Sequence, residues 1–346
     1  MTPVDTIPII DIQAWTDPVN HSDAERQTIA DQVADACRNV GFFAISHHGV
    51  SDSIADQAWD ASREFFDLST EEKMKSKTDN EAEYPYGYEN SEILSVGKVG
   101  SSLDDPPKPD LKETFSIGPS NPQSGMPPRR LPSNPKSLQA ALEAYYAEME
   151  KLAMILLTIF ARALKIDEDF FTNKMDHHFS ALRILNYFPV KLSQIQPGQL
   201  RASAHTDYGT LTILKSGGPG LQVKKDNTDD STSNSSWIDV PYLENVFVIN
   251  LGDMMRQWTN DRWLSTLHRV VVTEEDAQRR QSMAFFCNVN GDCICDPRDL
   301  FTMGQEDKDE EAKYAPISAK EHLMKKHLAS MGISSTEEGK NYSKAE

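Results

Sequence analysis

The sequence has no excess of basic residues. Its 346 residues include 35 lysines and arginines against 53 aspartates and glutamates, so the formal net charge is −18 and the isoelectric point is near 4.9. Nucleic acids and anionic membranes attract basic surfaces. The charge balance therefore argues against both as partners, whereas the charge of a small substrate depends on a few pocket residues and is left open.

Cysteine is also scarce. The four cysteines are Cys37, Cys287, Cys293 and Cys295. The Cys293-x-Cys295 pair lacks the second matching pair that a zinc ribbon needs. Free thiols in a reducing compartment are the simpler interpretation.

Long apolar runs are missing as well. The N-terminal segment "MTPVDTIPIIDI" has neither the basic start nor the long apolar stretch of a secretion signal, and no other run approaches a membrane span. We therefore expect a cytoplasmic protein that binds neither membranes nor nucleic acids, and we expect a monomer.

The sequence does contain a set of metal-ligating side chains. His205 and Asp207 lie one residue apart in "SAHTDYGTLTIL", and His268 follows in "STLHRVV". In an extended strand, residues i and i+2 face the same way, so the first two side chains can converge on one ion. Two imidazoles and one carboxylate are the facial ligand set of non-haem Fe(II) oxygenases. A third ligand from a distant strand folded back over the first suits a barrel or jelly roll.

Arg280 and Ser282 form a second pair at the same spacing, in a run of apolar and aromatic residues. A guanidinium and a hydroxyl on one side of a buried strand would bind a carboxylate, because the planar Arg group matches its two oxygens. Arg279 should point to the opposite face, towards solvent. Either pair alone would be weak evidence, since His-x-Asp also occurs in surface turns, but the combination is a strong signal.

These motifs resemble the Fe(II)/2-oxoglutarate-dependent dioxygenases of the isopenicillin N synthase-like family. Other segments resemble this family in the same order over nearly the whole chain: "IPIIDI", "VGFFAISHHGV", "FFDLSTEEK", "YGYENSE", "KETFSIG", "LNYFP", "LQV", "VFVINLGDMMRQWTNDRWLSTLHRV" and "RQSMAFFCNVNGD". Such collinearity is far more specific than any single motif.

The resemblance implies a mostly β core with flanking helices, a double-stranded β-helix or jelly roll. It implies that His205, Asp207 and His268 bind Fe(II), that 2-oxoglutarate chelates the metal, and that Arg280 and Ser282 hold its distal carboxylate. With O2, the enzyme would attack an unactivated C–H bond of a small metabolite and release succinate and CO2. Hydroxylation, desaturation and oxidative cyclisation all remain open.

The segment "LRILNYFP" is implied to line the co-substrate pocket. In plant-type relatives a tyrosine just before the proline contacts the distal carboxylate, and here that position is Phe188. Strand alternation predicts that Asn186 and Phe188 share a face while Tyr187 points the other way. We therefore predict a contact from Asn186 to the co-substrate and a missing contact at Phe188.

Alternation also predicts that Phe286 and Asn288 face the cavity, whereas Cys287 faces away. Together with Tyr208, they are the candidate substrate-binding residues. Arg201 and Arg256 are further candidate polar contacts, although each is equally explained as a solvent-facing residue.

Two alternatives remain open. One is an oxidase of the same fold that uses iron and oxygen without 2-oxoglutarate. The other is a small-ligand binding protein that has kept the scaffold. The intact ligand set argues against the second alternative, since a binding protein would not need all three ligands.

The chain is predicted to form one unit with four parts. These are an N-terminal region of strands and helices (1–120), a connection with a long supporting helix (121–175), the catalytic core (176–300) and a C-terminal helix with a tail (301–346). Apolar periodicity predicts helices near 22–40, 53–66, 135–165 and 318–331. The polar insertion at 226–236 predicts a hairpin loop.

Overall fold

The computed structural model describes most of the chain. The described residues are 6–77, 86–90, 109–122, 126–191, 193, 195–196, 198–224, 237–272, 278–303 and 311–330. The insertion predicted as a hairpin loop and the predicted tail beyond 331 lie outside the described residues.

Eight strands form the main sheet. They are β1 (Ile9–Asp11), β2 (Phe42–Ser46), β3 (Gly87–Glu89), β4 (Lys112–Ile117), β5 (Ala181–Tyr187), β7 (Leu211–Ser216), β10 (Phe247–Leu251) and β12 (Arg280–Cys287). Their order in space is β1-β2-β10-β7-β12-β5-β4-β3. The β1–β2 pair is parallel and the other pairs are antiparallel.

A smaller sheet faces the main one. Its strands are β6 (Ala202–His205), β8 (Leu221–Lys224), β9 (Trp237–Asp239) and β11 (His268–Val270), in the spatial order β6-β11-β8-β9. A separate antiparallel pair consists of β13 (Ile294–Cys295) and β14 (Ile317–Ser318).

Eight α-helices flank the sheets in the described residues. They are α1 (Gln13–Thr16), α2 (Asp23–Asn39), α3 (Asp52–Phe66), α4 (Thr70–Met74), α5 (Lys136–Ala163), α6 (Asp253–Trp258), α7 (Pro297–Met303) and α8 (Ala319–Ser330). A short 3-10 helix covers Thr172–Lys174. The four predicted helices are confirmed as α2, α3, α5 and α8. Helix α2 begins with a capping box, in which Ser22 and Glu25 each bond the other's backbone N–H.

Aromatic side chains of the long helices cover the outer face of the main sheet. Phe65 of α3 packs on Phe115 of β4 with ring centroids 4.7 Å apart, and Tyr146 of α5 packs edge-on against Phe285 of β12 at 5.2 Å. This packing removes the outer face from water, so every second residue of β4, β5 and β12 belongs to a helix–sheet core.

The inner face of the main sheet packs against the small sheet through a second apolar cluster. Its members from the two sheets include Phe42, Tyr187, Val248, Ala202, Val223 and Val270. Two sheets that enclose such an interior, with helices outside, confirm the predicted double-stranded β-helix.

The N-terminal region contributes strands to the catalytic sheet. β2 pairs with β10, and β4 pairs with β5, so strands from 1–120 and 176–300 share one ladder. The four predicted parts therefore interlock, and their exact boundaries stay a prediction. No helix in the described ranges combines the length and apolarity required to cross a membrane.

Candidate metal centre and carboxylate receptor

Two strands of the small sheet bring the predicted histidines together. His205 ends β6 and His268 begins β11, and the two residues are direct partners in this antiparallel pair. Their ring centroids lie 4.2 Å apart. Phe42 of β2 packs edge-on against the His268 ring at 5.2 Å, so the apolar interior borders the pair.

Asp207 lies two residues beyond the end of β6, in the loop that leads to β7. Its Oδ1 atom is 3.7 Å from Nε2 of His205 and 3.7 Å from Nε2 of His268. One ligand atom from each of the three residues lies within 4.8 Å of the other two. The predicted convergence is therefore present, and a single metal ion could bind all three side chains.

Backbone carbonyls orient both rings. Nδ1 of His205 lies 2.7 Å from the carbonyl oxygen of Ser203, and Nδ1 of His268 lies 3.1 Å from that of Thr266. A carbonyl can only accept, so each Nδ1 carries the proton and each Nε2 keeps its lone pair. This arrangement is typical of metal-binding histidines.

The second carboxylate oxygen of Asp207 is held by two side chains of the main sheet. Oδ2 accepts hydrogen bonds from Thr212 Oγ1 at 2.5 Å and from Asn250 Nδ2 at 2.6 Å. These two donors turn Oδ1 towards the histidines. Sequence reasoning missed both residues, although a threonine or asparagine in the apolar runs "TLTIL" and "VFVINL" is a usable signal for a polar contact inside a barrel.

Electrostatics keeps the ligands in their metal-binding forms. Burial, reinforced by the neighbouring imidazole of His268, lowers the pKa of His205 to about 4, although Asp207 opposes the shift. Burial would raise the pKa of Asp207, but the two imidazoles and the hydrogen bonds from Asn250 and Thr212 hold it below its ordinary value. Near neutral pH, His205 is neutral and Asp207 is ionised, as metal binding requires.

Arg280 lies on the inner face of β12 and is 1% exposed. Its Nε donates to the carbonyls of Gly218 and Pro219 at 3.3 and 3.1 Å, and its Nη2 donates to Ser216 Oγ at 2.7 Å. Nη1 is buried and has no hydrogen-bond partner among the residues that the structure describes. A buried guanidinium N–H needs an acceptor, and a carboxylate would supply one.

Ser282 and Tyr187 lie beside Arg280. Ser282 Oγ lies 3.5 Å from Tyr187 Oη, and the Arg280 guanidinium lies 4.9 Å from the centre of the Tyr187 ring. All three side chains are at most 2% exposed. Two hydroxyls and a cation thus line one part of the interior, as a receptor for a carboxylate requires.

The prediction that Asn186 and Phe188 share the inner face is wrong. Tyr187 is the direct partner of Arg280, so it shares the inner face, and Asn186 points outward. Asn186 Nδ2 donates to Glu113 Oε1 at 2.7 Å, and Asn186 Oδ1 accepts from Arg279 Nε at 2.7 Å. β5 ends at Tyr187, and Phe188 beyond it is 37% exposed. The error is one residue in register, which exchanges the two faces.

The predicted substrate-binding residues have different environments. Phe286 is half-buried on the inner face and pairs in register with Thr212, the residue that bonds Asp207. Asn288 is fully buried, and a Cβ atom placed on Gly209 would lie 2.3 Å from its Oδ1. Tyr208 is half-buried against the outer core. All three substrate contacts stay predictions, and Phe286 has the most suitable position.

The two further arginines have different environments. Arg201 is fully buried, and its Nη2 donates to the carbonyl of Gln278 at 2.6 Å. Arg256 is exposed on α6, where its Nε pairs with Asp261 at 2.8 Å. Arg201 thus bonds the backbone inside the protein, and Arg256 forms a surface ion pair.

A polar group on the inner face of β3, β4 and β5 was missed by sequence reasoning. Arg183 Nη2 lies 3.3 Å from Glu89 Oε2, and Arg183 Nε donates to Ser116 Oγ at 3.0 Å. Thr114 Oγ1 is 3.4 Å from the same Glu89 oxygen. The alternation of Lys112, Thr114 and Ser116 in "KETFSIG" was the available signal, because polar residues at every second position mark one face of a strand.

Comparison with known families gives two matches along the chain. Residues 7–137 match the family of the non-haem dioxygenase in morphine synthesis, N-terminal part. Residues 179–289 match the 2OG-Fe(II) oxygenase superfamily. The second match contains the three candidate metal ligands and the Arg280–Ser282 pair.

Curated relatives match over nearly the whole chain. A 2-oxoglutarate-dependent dioxygenase of Monascus ruber is 30% identical over 337 residues, which cover 92% of this chain and 94% of the relative. A homoarginine-6-hydroxylase of Oryza sativa subsp. japonica is 30% identical over 339 residues, covering 93% and 96%.

Solved structures agree with this result. A full-length Neurospora crassa protein crystallised with alpha-KG superposes with a TM-score of 0.81 at 27% identity, covering 95% of this chain and 98% of that one. The same protein was also crystallised with alpha-KG and thymine.

Proposed function

We propose that His205, Asp207 and His268 bind the iron of this chain, which belongs to the 2OG-Fe(II) oxygenase superfamily. The convergence of Asp207 Oδ1 and the two Nε2 atoms is the observation that carries the proposal. The Nδ1 contacts to backbone carbonyls support it, because they leave each Nε2 able to donate its lone pair. This donor set suits Fe(II) and leaves coordination positions open.

The chain is an enzyme, a non-haem dioxygenase that uses Fe(II), 2-oxoglutarate and O2 on a small-molecule metabolite. When bound, iron and 2-oxoglutarate supply the oxidation: 2-oxoglutarate loses CO2 and becomes succinate with one atom of O2, while the other oxygen atom oxidises the substrate. Membership of this family favours the 2-oxoglutarate-dependent enzyme over both the oxidase and the non-catalytic binding protein.

Arg280, Ser282 and Tyr187 are proposed to bind the distal carboxylate of 2-oxoglutarate. The support is the buried Arg280 Nη1 atom, which lacks a partner within the described part of the chain and lies next to the two hydroxyls. Tyr187 here takes the role that was predicted for the position of Phe188. Asn186 is not part of this proposal, because both ends of its amide are bonded on the outer face.

The chain's own residues hold the reacting groups in place. Thr212 and Asn250 orient the Asp207 carboxylate, and backbone carbonyls orient both imidazoles. The apolar interior around Phe42 keeps water away from this side of the centre. The outcome of the reaction would depend on which C–H bond the substrate pocket holds next to the iron.

A small polar molecule is the proposed substrate class. The Arg183–Glu89 pair carries no net charge, and a wholly apolar molecule packed against it would exclude water from both ions without offering a hydrogen bond in return. Phe286 would supply an apolar contact. Homoarginine, in the name of the rice relative, and thymine, in the Neurospora complex, are both small and polar.

We propose that the protein binds small molecules and no nucleic acid polymer. The net charge of −18 supports a protein that binds no nucleic acid polymer. We also propose that the protein is a monomer and that it lies in the cytoplasm, a reducing compartment that the scarcity of cysteine supports.

The proposal is tested by succinate release from purified protein with Fe(II), 2-oxoglutarate and a substrate panel. Thymine and homoarginine represent polar candidates, and toluene represents an apolar one. We expect stimulation above the substrate-free rate with polar compounds, a several-fold loss of that stimulation in Arg183→Met, and recovery in Arg183→Lys. Stimulation by toluene alone would contradict the substrate class, and full iron binding by Asp207→Ala would contradict the metal site.

A further inference from the structure

The loop that carries Asp207 is held by the start of α6. Asp253 N donates to the Asp207 carbonyl at 2.7 Å, and Met254 N donates to the Tyr208 carbonyl at 3.2 Å. Gly252 N donates to the Thr210 carbonyl at 3.2 Å. Three consecutive N–H groups thus bond the loop, which has left the ladder of β6 after His205.

The two backbones are in direct contact at this point. A Cβ atom on Gly252 would lie 2.2 Å from the carbonyl oxygen of Gly209. No side chain fits between the loop and α6. Any displacement of α6 is therefore passed to the Asp207 loop.

Helix α8 reaches the loop and the start of α6 with two side chains four residues apart. His322 Nε2 lies 3.1 Å from the Tyr208 carbonyl, and Lys326 Nζ donates to Asp253 Oδ2 at 2.6 Å. Residues i and i+4 share one face of a helix. His322 is 3% exposed and Asp253 is 6% exposed, whereas the Lys326 side chain that reaches Asp253 is 39% exposed.

Asp253 connects these contacts to both sides of the metal ligand. Its Oδ2 accepts from Thr206 Oγ1 at 3.2 Å as well as from Lys326. Its backbone N–H bonds Asp207 itself. A carboxylate buried to this extent needs a counter-ion, and in this contact Lys326 provides it.

We propose that α8 positions the metal-binding loop, with His322 and Lys326 as positioning residues that act through Tyr208 and Asp253. The inference rests on the proposed function of Asp207 as an iron ligand. A ligand held in place before the metal arrives gives higher affinity, because binding then requires less ordering. Loss of the Lys326 contact would free the Asp253 carboxylate and loosen the Asp207 loop.

The test measures metal affinity rather than activity. Metal-free full-length protein is titrated with Fe(II) under anaerobic conditions, and with Ni(II) in air, by calorimetry. We expect Lys326→Met and His322→Leu each to raise the metal dissociation constant about 10-fold, the lower end of the effect of residues that support metal ligands. Lys326→Arg and His322→Gln keep a donor and should restore most of the affinity.

Lys325→Met is the matched control, because Lys325 is a neighbouring exposed lysine on the same helix. A folded Lys326→Met protein with the metal affinity of Lys325→Met would overturn the proposal. If Lys326→Met does not fold, the metal affinity of Lys326→Gln is compared with that of Lys325→Gln, and equal affinities would overturn the proposal.

A double variant separates positioning from general destabilisation. If Lys326 acts through Asp207, Lys326→Met should add no further loss of Ni(II) affinity in an Asp207→Ala background. An equal loss in both backgrounds would overturn the proposal. Wild-type affinity in Asp207→Ala alone would instead refute the proposed metal site, so the two failures are distinguishable.

Discussion

The two faces of the β5–β12 pair carry similar polar residues that differ in how completely they are hydrogen-bonded. On the outer face, Arg279 bonds Asn186, the Asp67 carboxylate and the Arg63 carbonyl. On the inner face, Arg280 bonds backbone carbonyls and Ser216, but none of the described residues bonds its Nη1 atom. Two adjacent arginines, at the start of β12 and just before it, thus differ in whether their hydrogen bonds are completed within the protein.

The outer network extends to a buried carboxylate. Glu113 accepts from Lys73 Nζ at 2.8 Å, from Tyr88 Oη at 2.5 Å and from Asn186 Nδ2 at 2.7 Å. This network joins α4 to β3, β4 and β5 behind the receptor. The comparison teaches that a completed polar network stabilises the fold, whereas an incomplete one on the opposite face marks a place for a ligand.

The largest expected effect tests the inner face at the metal. His268→Ala and Asp207→Ala should reduce turnover to the metal-free background, because two ligands no longer define the facial site. Iron content per chain and succinate release measure this. His47→Ala is the control, since His47 is exposed and its ring pairs with Asp11 at the protein surface. Full activity in either ligand variant would remove that residue from the metal.

The second prediction concerns the outer face. Glu113→Gln should lower the free energy of unfolding by about 3 kcal/mol, because Lys73 would keep a buried charge without its carboxylate. Urea unfolding measures the loss. The affinity for 2-oxoglutarate should change by less than about 3-fold once the protein is folded, since the network makes no inner-face contact. A large loss of 2-oxoglutarate affinity with unchanged stability would show that the outer network serves ligand binding rather than the fold.

The third prediction compares the adjacent arginines directly. Arg280→Gln should raise the dissociation constant of 2-oxoglutarate by roughly 30- to 150-fold, the equivalent of about 2–3 kcal/mol for a charge-assisted bidentate contact. Arg279→Gln should leave this constant within about 3-fold and lower stability instead. Anaerobic titration of the iron-loaded protein gives both values. Equal effects on affinity would show that the two faces are not functionally separate.

The smallest expected effect concerns the hydroxyls. Tyr187→Phe and Ser282→Ala should each weaken 2-oxoglutarate binding by about 1 kcal/mol, the usual value of one neutral hydrogen bond. Phe188→Tyr should have no effect, because Phe188 lies beyond β5 and is exposed. The same titration measures all three variants. Tighter binding in Phe188→Tyr would place residue 188 at the co-substrate after all.

Much of the candidate site and of the fold could be predicted from the sequence, because the spacing of side chains matches the periods of strands and helices. His205, Asp207 and His268 converge as predicted, although Asp207 lies in the loop after β6 rather than in the strand itself. Arg280 and Ser282 share the inner face for the same reason. The long helices followed from apolar periodicity, since each buries a continuous apolar stripe.

The wrong and missed predictions concern tertiary contacts, which the alternation of side chains along a strand does not determine. The predicted alternation of β5 takes Phe188 as a strand residue, but β5 ends at Tyr187 and Phe188 is not part of the sheet. Only the pairing of Tyr187 with Arg280 decides which face is inner. The partners of Asp207 lie on two other strands, so a polar residue within each apolar run could indicate an internal contact but not that Asp207 is the residue contacted.

The position of β12 has a consequence for how the protein reaches its native state. This strand, Arg280–Cys287, lies between β7 and β5 near the middle of the main sheet, although it is the latest of the eight strands to be synthesised. Until it arrives, β7 and β5 each have an unpaired edge, and such edges recruit other chains. Pairing across so many residues is also slow, because loop closure precedes the stabilising contacts. We therefore expect chains interrupted before residue 280 to aggregate, so that synthesis of the carboxylate receptor also closes the sheet.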